Sequence, residues 1–590
     1  MNRKRLKILI SISAAIILVA AAVSIYLVNF MPNSNTADYF KGRETSLIVE
    51  GQLIEDERAA LVSDGEVLIA VTVIKEYFDP YIWWDEAERK VTVTTADRVI
   101  RMQTESLNAI INDEPVELNM PVTLEMGIVY IPIDFLKELY GISIRYAETT
   151  GCVIIDYVDS IVRVAEQLED ELIIRLDRSV RAPVIKTLGE KERSLGEAEL
   201  RVYEEYDKWY RVRAYDGSMG YVEKSDVVVT IRRFSYIRHH KPKGLSWEPE
   251  EGMISLGWET GDKKDLYGSN EKIRGLDVIS PLWFDFEEKT LKLKNGANAR
   301  SLDWAQRNGY QVWPMLKNDN LLPSRSSAFL NSSALREALI RELLVYCALY
   351  RFDGINIDLE NINLTDKDAL TQFVRELTPY IREQGLVVSM CVGVPDGSNN
   401  YSKCYDLQAL GESVDYIMLM TYDQHWKGSP EAGSVAQYPW VEQKLKRTLE
   451  FVPREKLFLG LPLYNRLWKE VTEDDGKITV TNAAVINMET AKQQLAANNS
   501  TPVWDDTSGQ YYAEYSKGGA LYKLWLEDEN SINLKSSLAQ KYRLAGTAAW
   551  RMNFETPLVW EVLYNNLKVY KTYEAWQDAN PGGQAVPKYY

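Results

Sequence analysis

Metal and disulfide chemistry have little to draw on in this chain, whose 590 residues hold three histidines and four cysteines. Cys152, Cys347, Cys391 and Cys404 form no CxxC pair and no regular spacing, so neither a disulfide framework nor a zinc site is expected. Glycine (33) and proline (21) are too sparse for a collagen-like chain, and 46% hydrophobic with 26% charged residues excludes a disordered one. Excess positive charge is also missing. With 68 Lys and Arg against 85 Asp and Glu the formal charge is −17, a surface that repels phosphate backbones and excludes nucleic acid as the expected partner.

What is present begins at the N-terminus. Residues 8–30 (ILISISAAIILVAAAVSIYLVNF) carry no charge and follow Arg3, Lys4, Arg5 and Lys7. At about 1.5 Å per residue such a helix crosses a hydrocarbon core of roughly 30 Å. Residues 1–7 are therefore expected as a cytoplasmic tail and 8–30 as a single-pass membrane anchor, with everything after them outside the cell membrane. A cleaved secretory signal is the alternative, because Ala20, Ala21 and Ala22 mimic a cleavage site, but its apolar region normally runs about 7 to 15 residues. At about 150 residues per domain the length predicts roughly four structural units.

Residues 31–44 read as a polar, turn-rich linker. Beyond them, GEVLIAVTVIKEYF (65–78) aligns with GIVYIPIDFLKELY (127–140), matching Gly65 with Gly127, Ile69 with Ile131 and Lys75-Glu76 with Lys137-Glu138. Each copy predicts a strand, a short helix and a β-rich stretch (90–95 and 152–158). Residues 45–160 resemble the small α/β repeat module related to the copper amine oxidase N-terminal domain, although the segment has no histidine and one cysteine, so no copper site follows. Short alternating strands over 178–231, with a hairpin signal at Asp216-Gly217, resemble a bacterial Src-homology-3-like β-barrel carried by Trp209, Val212, Gly220, Tyr221 and Val222. That resemblance implies contact with cell-wall peptides, with a spacer role as the alternative. A basic linker is expected at 232–249 and a tail at 576–590.

From about residue 250, eight β-rich runs alternate with amphipathic helical patterns: 254–259, 276–286, 310–316, 354–360, 387–393, 416–423, 457–464 and 546–553. The expected fold is α/β, a (β/α)8 barrel over 250–575, with chemistry at the C-terminal strand ends. A doubly wound open sheet is the alternative, but no phosphate-cradling Gly-rich loop follows the first strand. In the fourth run, DGINIDLE, period two puts Asn356, Asp358 and Glu360 on one face and Ile355, Ile357 and Leu359 on the other. Two carboxylates and an amide inside a barrel are costly unless function or pairing retains them. In the sixth run Met418, Met420 and Tyr422 share a parity beside Asp423, and in the eighth Trp550 offers an indole floor suited to a sugar ring.

DGINIDLE resembles the D-G-x-D-x-D-x-E signature of glycoside hydrolase family 18, the chitinase-like enzymes, and MTYD resembles that family's M-x-Y-D. The stretches YDQHWKGSPEAGSVAQYPWVE, GLPLYNRLW and LWLEDENSINLK are similar to a subgroup of bacterial spore and cell-wall N-acetylglucosaminidases. The resemblance implies Glu360 as acid/base, Asp358 as the residue orienting the substrate's N-acetyl group, and Tyr422 with Asp423 as its binding partners. Asn356, Met420, Tyr464 and Trp550 complete the expected sugar site. It further implies a polysaccharide substrate, peptidoglycan or a chitin-like polymer, and substrate-assisted catalysis without metal or organic cofactor. A non-catalytic glycan-binding surface protein is the rival class, opposed by the retained Glu360. The chain departs from the family twice. Asn356 stands where the first in-barrel Asp is expected, and WPMLKN replaces S-x-G-G on the third strand.

Overall fold

The computed structural model describes residues 3–29, 31–158, 160–234, 247–249, 251–261, 272–319 and 321–581. By contacts the chain divides into two units: residues 1–84, 102–109 and 115–241, and residues 85–101, 110–114 and 242–590.

In the first unit, Arg3–Asn29 is one helix. The expected membrane span is not found, since among the described residues no helix is long and apolar enough to cross a membrane.

The internal repeat folds as two equivalent strands, Glu66–Ala70 and Ile128–Pro132, each followed by a short helical turn. They pair antiparallel with Ile69 opposite Ile131, Ala70 opposite Tyr130 and Leu68 opposite Pro132. The matched pair Ile69 and Ile131 thus meets on a local twofold axis, with its neighbours exchanged symmetrically about it. Apolar Val67, Leu68, Ile69, Val129 and Ile131 are buried, which is why alternating Val and Ile were retained in both copies.

Residues 160–234 form a seven-stranded antiparallel sheet. It begins well before residue 178, because Ser160–Gln167 pairs along its whole length with Val227–Phe234. The Asp216-Gly217 turn forms as expected: Gly217 has φ 88°, and Val212 lies opposite Gly220. Arg232 and Arg233 belong to this sheet rather than to a linker, and Arg232 pairs with Glu166 and Glu199. Most of the expected linker, residues 235–246, lies outside the described residues, as do 582–590 of the tail.

The second unit is built on eight parallel strands that close on themselves. They are β1 (Ile254–Glu259), β2 (Val278–Pro281 continuing as Phe284–Phe286), β3 (Gln311–Val312 continuing as Met315–Lys317), β4 (Gly354–Asp358), β5 (Val387–Gly393), β6 (Tyr416–Met420), β7 (Leu457–Pro462) and β8 (Gly546–Trp550). β8 pairs with both β7 and β1, and both halves of β2 pair with β3, so no edge is left open. The expected (β/α)8 barrel is therefore present. Its interior packs Trp258, Val278, Trp313, Met315, Cys391, Met418, Phe458 and Ala548. One connection differs from expectation. Between β7 and β8 the chain builds a five-stranded antiparallel sheet from Tyr464–Thr472, Ile478–Asn487, Val503–Asp505, Gln510–Lys517 and Ala520–Leu526, with the helix Met488–Ala497.

The unit also includes residues 85–101 and 110–114, which pack on two barrel helices, Ser333–Tyr350 and Lys367–Glu383. Asp85 accepts hydrogen bonds from the Ser333 N–H (2.9 Å) and Oγ (2.6 Å) at the start of the first helix. Arg101 donates to the Tyr380 hydroxyl (2.6 Å) and lies 3.8 Å from the buried Glu376.

Candidate active site

The site is assembled at the C-terminal ends of β3, β4, β6 and β8 and the first strand of the inserted sheet. Asn356 and Asp358 lie on β4 and are buried; Glu360 follows two residues after the strand ends. The alternation read from DGINIDLE holds: Asn356 meets interior side chains, whereas Ile355 and Ile357 are sealed on the other face.

Asn356 is hydrogen-bonded at both ends of its amide. Its Oδ1 accepts from Trp258 Nε1 (2.9 Å) and Cys391 Sγ (3.4 Å), and its Nδ2 donates to Ser389 Oγ (2.9 Å). It makes no hydrogen bond to Asp358, so the amide is tied to the barrel interior rather than sharing a proton with its neighbour. Asp358 Oδ1 is buried and makes no hydrogen bond among the described residues. Burial, then the charges of Glu360 and Asp319, hold its carboxyl well above the usual range. Glu360 is pushed up to about 7 by burial, with Asp319 and Asp423 adding like charge. A carboxyl so placed carries a proton near neutrality, as an acid catalyst requires.

The wall opposite is aromatic. Met420, Tyr422 and Trp550 pack partly buried on the interior cluster, and the Trp550 indole meets Trp258 edge-on with centroids 6.1 Å apart. Tyr422 meets Tyr464 at 6.4 Å. Tyr464 is not on β7, where the sequence placed it, but opens the inserted sheet, because the apolar run continues past Pro462 without a break. Its hydroxyl donates to Asp423, and Arg466, two residues along the same strand, contacts the same carboxylate oxygen at 2.7 Å. Asp423 is thereby fixed at the mouth, with φ 55° turning the chain out of β6.

Of the eight expected residues, Asp358, Glu360, Met420, Tyr422, Asp423, Tyr464 and Trp550 lie at or just beyond these strand ends, and Asn356 lies inside β4 against the barrel interior. Four others escaped the sequence reading. Arg466 was signalled by its period-two spacing from Tyr464. Trp258, Cys391 and Asn318 carried no local signal, since their partners are distant in sequence.

Among the described residues no group of three or more His, Cys, Asp or Glu is placed to hold a metal ion.

Comparison with known proteins adds the family. Residues 284–555 match glycosyl hydrolases family 18, and residues 48–155 match the copper amine oxidase N-terminal domain. The second name implies copper, but residues 48–155 offer no histidine and only Cys152, whose thiol burial raises to about 12, a donor set that does not suit the metal. The chain is 23% identical over 332 residues to an uncharacterized glycosylase, YvbX, of Bacillus subtilis, covering 54% of this chain and 93% of that protein. It is 25% identical over 260 residues to the cortical fragment-lytic enzyme of the same organism, covering 43% of this chain and 59% of that one. The solved spore cortex-lytic enzyme SleL of Bacillus megaterium overlays with TM-score 0.47 at 22% identity, over 54% of this chain and 76% of that structure. With Asp358 and Glu360, two residues apart, at the mouth of a closed barrel, residues 284–555 form a glycosyl hydrolases family 18 domain, and residues 48–155 a copper amine oxidase N-terminal domain.

Proposed function

We propose that the barrel hydrolyses β-1,4-linked N-acetylglucosamine in peptidoglycan with retention of configuration, using the substrate's own acetamide as nucleophile. The observation that carries this reading is the pair at the end of β4: an acid raised to about 7 beside a second buried carboxyl with an unoccupied acceptor oxygen. Glu360 gives its proton to the glycosidic oxygen as the bond to C1 breaks, and the acetamide carbonyl oxygen closes on C1. Asp358 accepts from the acetamide N–H and stabilises the positive oxazolinium. Glu360, now a carboxylate, takes a proton from water; the water oxygen bonds to C1 and the acetamide is released. Two inversions at C1 give net retention. Tyr464, Arg466 and Asp423 line the polar side of the sugar, and Trp550 its apolar face.

Peptidoglycan is favoured over a chitin-like polymer by the accessory regions. The all-β region of residues 160–234 supports wall contact through Trp209, Tyr206 and Arg178, which border a polar groove on its surface. The uncharged run at 8–30, with Ile10, Ile16, Ile17 and Leu18 exposed, supports anchorage at the cell membrane with the barrel outside.

Digestion of purified wall, followed by reduction and mass analysis of the new ends, tests the assignment. N-acetylglucosamine at the reducing end is expected. Muramic acid ends, release from chitin alone, or binding without cleavage would each reject it. Wall de-N-acetylated at glucosamine should resist hydrolysis, because the internal nucleophile is gone; equal rates would point to a nucleophile from the protein.

A further inference from the structure

The third-strand segment WPMLKN, which departs from the family pattern, ends in a side chain aimed at the acid itself. Asn318 is 5% exposed. Its Oδ1 accepts from the backbone N–H of Glu360 (2.8 Å), and its Nδ2 donates to the carbonyl of the same residue (2.9 Å). Glu360 lies beyond the end of β4 and has no ladder bonds there, so the carboxamide supplies both bonds that a neighbouring strand would have made. Nδ2 also reaches Ser326 Oγ (3.1 Å) on the helix Pro323–Leu330. That helix holds the chain on the other side of the acid, where Asn363 Nδ2 donates to Ser327 Oγ (2.9 Å). On either side of Asn318, Lys317 pairs with Asp285 (3.2 Å) and Asp319 (2.5 Å), which fixes the strand end.

We propose that Asn318 is a positioning residue for the catalytic acid: by clamping the Glu360 backbone at both its N–H and its C=O, it sets where that carboxyl stands relative to the scissile bond. The inference rests on the glycosidase reading of Glu360. It accounts for the replacement of S-x-G-G, since small residues there could not reach the acid's backbone.

The groups facing Glu360 come from every neighbouring element. They are Asp358 on β4, Asp319 after β3, Asp423 after β6, and, from the segment after β5, Tyr401, Cys404 and Tyr405; Cys391 and Tyr422 complete the set. Freed of its clamp, the carboxyl gains water and loses part of its burial, so its proton should leave at lower pH. An Asp at 318 keeps the bond from the Glu360 N–H, loses both donations and adds a like charge, so the proton should leave at higher pH.

The full chain is assayed as wild type, Asn318→Ala, Asn318→Asp and Glu360→Gln on a soluble oligomer of β-1,4-linked N-acetylglucosamine. For Asn318→Ala, kcat is expected to fall about 10- to 100-fold with KM changed less than about twofold. The alkaline limb of kcat/KM should move down in Asn318→Ala and up in Asn318→Asp. A tie that merely holds the fold would lower the melting temperature and leave kcat per folded molecule and both limbs unmoved, which overturns the proposal. Titration of the Glu360 carboxyl in carbon-13-labelled protein, assigned by its loss in Glu360→Gln, reads the same clamp without turnover. An inactive wild type with an Asn318→Asp shift in this titration rejects the glycosidase reading and keeps the clamp. An active wild type with no shift in either variant rejects the clamp alone, and if Asn318→Ala does not fold, Asn318→Asp decides.

Discussion

At the scale of single residues the site is governed by where protons sit. Burial and the like charges of Asp319 and Asp423 raise Glu360 to about 7. The free enzyme's acid is then protonated below that pH and lost above it, so kcat/KM should fall about tenfold per unit on the alkaline side, measured on a soluble acetylated substrate. A flat profile to pH 9 would remove Glu360 from the role of acid. Asn356 offers the converse experiment. Asp in its place can still accept from Trp258 and Cys391, but the Ser389 hydroxyl, which now accepts from Nδ2, must turn to donate. The new carboxylate would lie two residues from Asp358, about 6 to 7 Å along a strand, and like charge at that distance raises both acids. We expect Asn356→Asp to move the alkaline limb to higher pH. Burial also raises the folded-state pKa of the introduced Asp above its unfolded value. The variant's stability should therefore match wild type at low pH and decline as pH rises through that folded pKa, as thermal melts at several pH values would show.

At the scale of elements, the inserted sheet depends on one polar junction. Glu527 and Lys535 are both fully buried and paired at 2.5 Å, with Gln510 and Ser531 donating to the same carboxylate. The Glu527 backbone is held by Asn465, whose Oδ1 accepts its N–H at 2.7 Å and whose Nδ2 donates to its carbonyl at 3.1 Å. Asn465 stands between Tyr464 and Arg466, so the junction also fixes the strand that carries two walls of the candidate site. Glu527→Ala leaves Lys535 buried and unpaired, and should cost about 3–5 kcal/mol, read by denaturant unfolding; a loss under 1 kcal/mol would show that Lys535 finds water instead. These elements differ in how far the sequence betrayed them. The β4 carboxylates were legible because a barrel strand with polar residues at period two has few structural excuses. The inserted sheet was not, because LFLGLPLYNRLW runs from β7 into the next strand without a turn signal, so Tyr464 read as barrel. The Asn318 clamp was illegible for a different reason: it joins backbone atoms 42 residues away, and no local pattern encodes such a partner.

At the scale of the whole molecule, residues 85–101 and 110–114 belong to the contact unit of the barrel although they lie within the repeat module by sequence. A fragment beginning at residue 242 would lack the Asp85 bonds to Ser333 and the Arg101 contacts to Tyr380 and Glu376. Each hydrogen bond lost from Ser333 is worth about 1 kcal/mol, so the fragment should melt below the barrel transition of the full chain. Equal transitions in calorimetry would make those contacts dispensable. The module carries a second lesson in its central pairing, Ile69 against Ile131. Equivalent residues facing each other across a dyad are the signature of an isologous interface, the kind formed by two identical subunits. Here both halves are covalently joined, so their meeting is intramolecular and independent of protein concentration. One repeat expressed alone therefore has an unpaired strand edge whose best available complement is another copy of itself, and dilution, which cannot touch the linked pair, would dissolve that dimer.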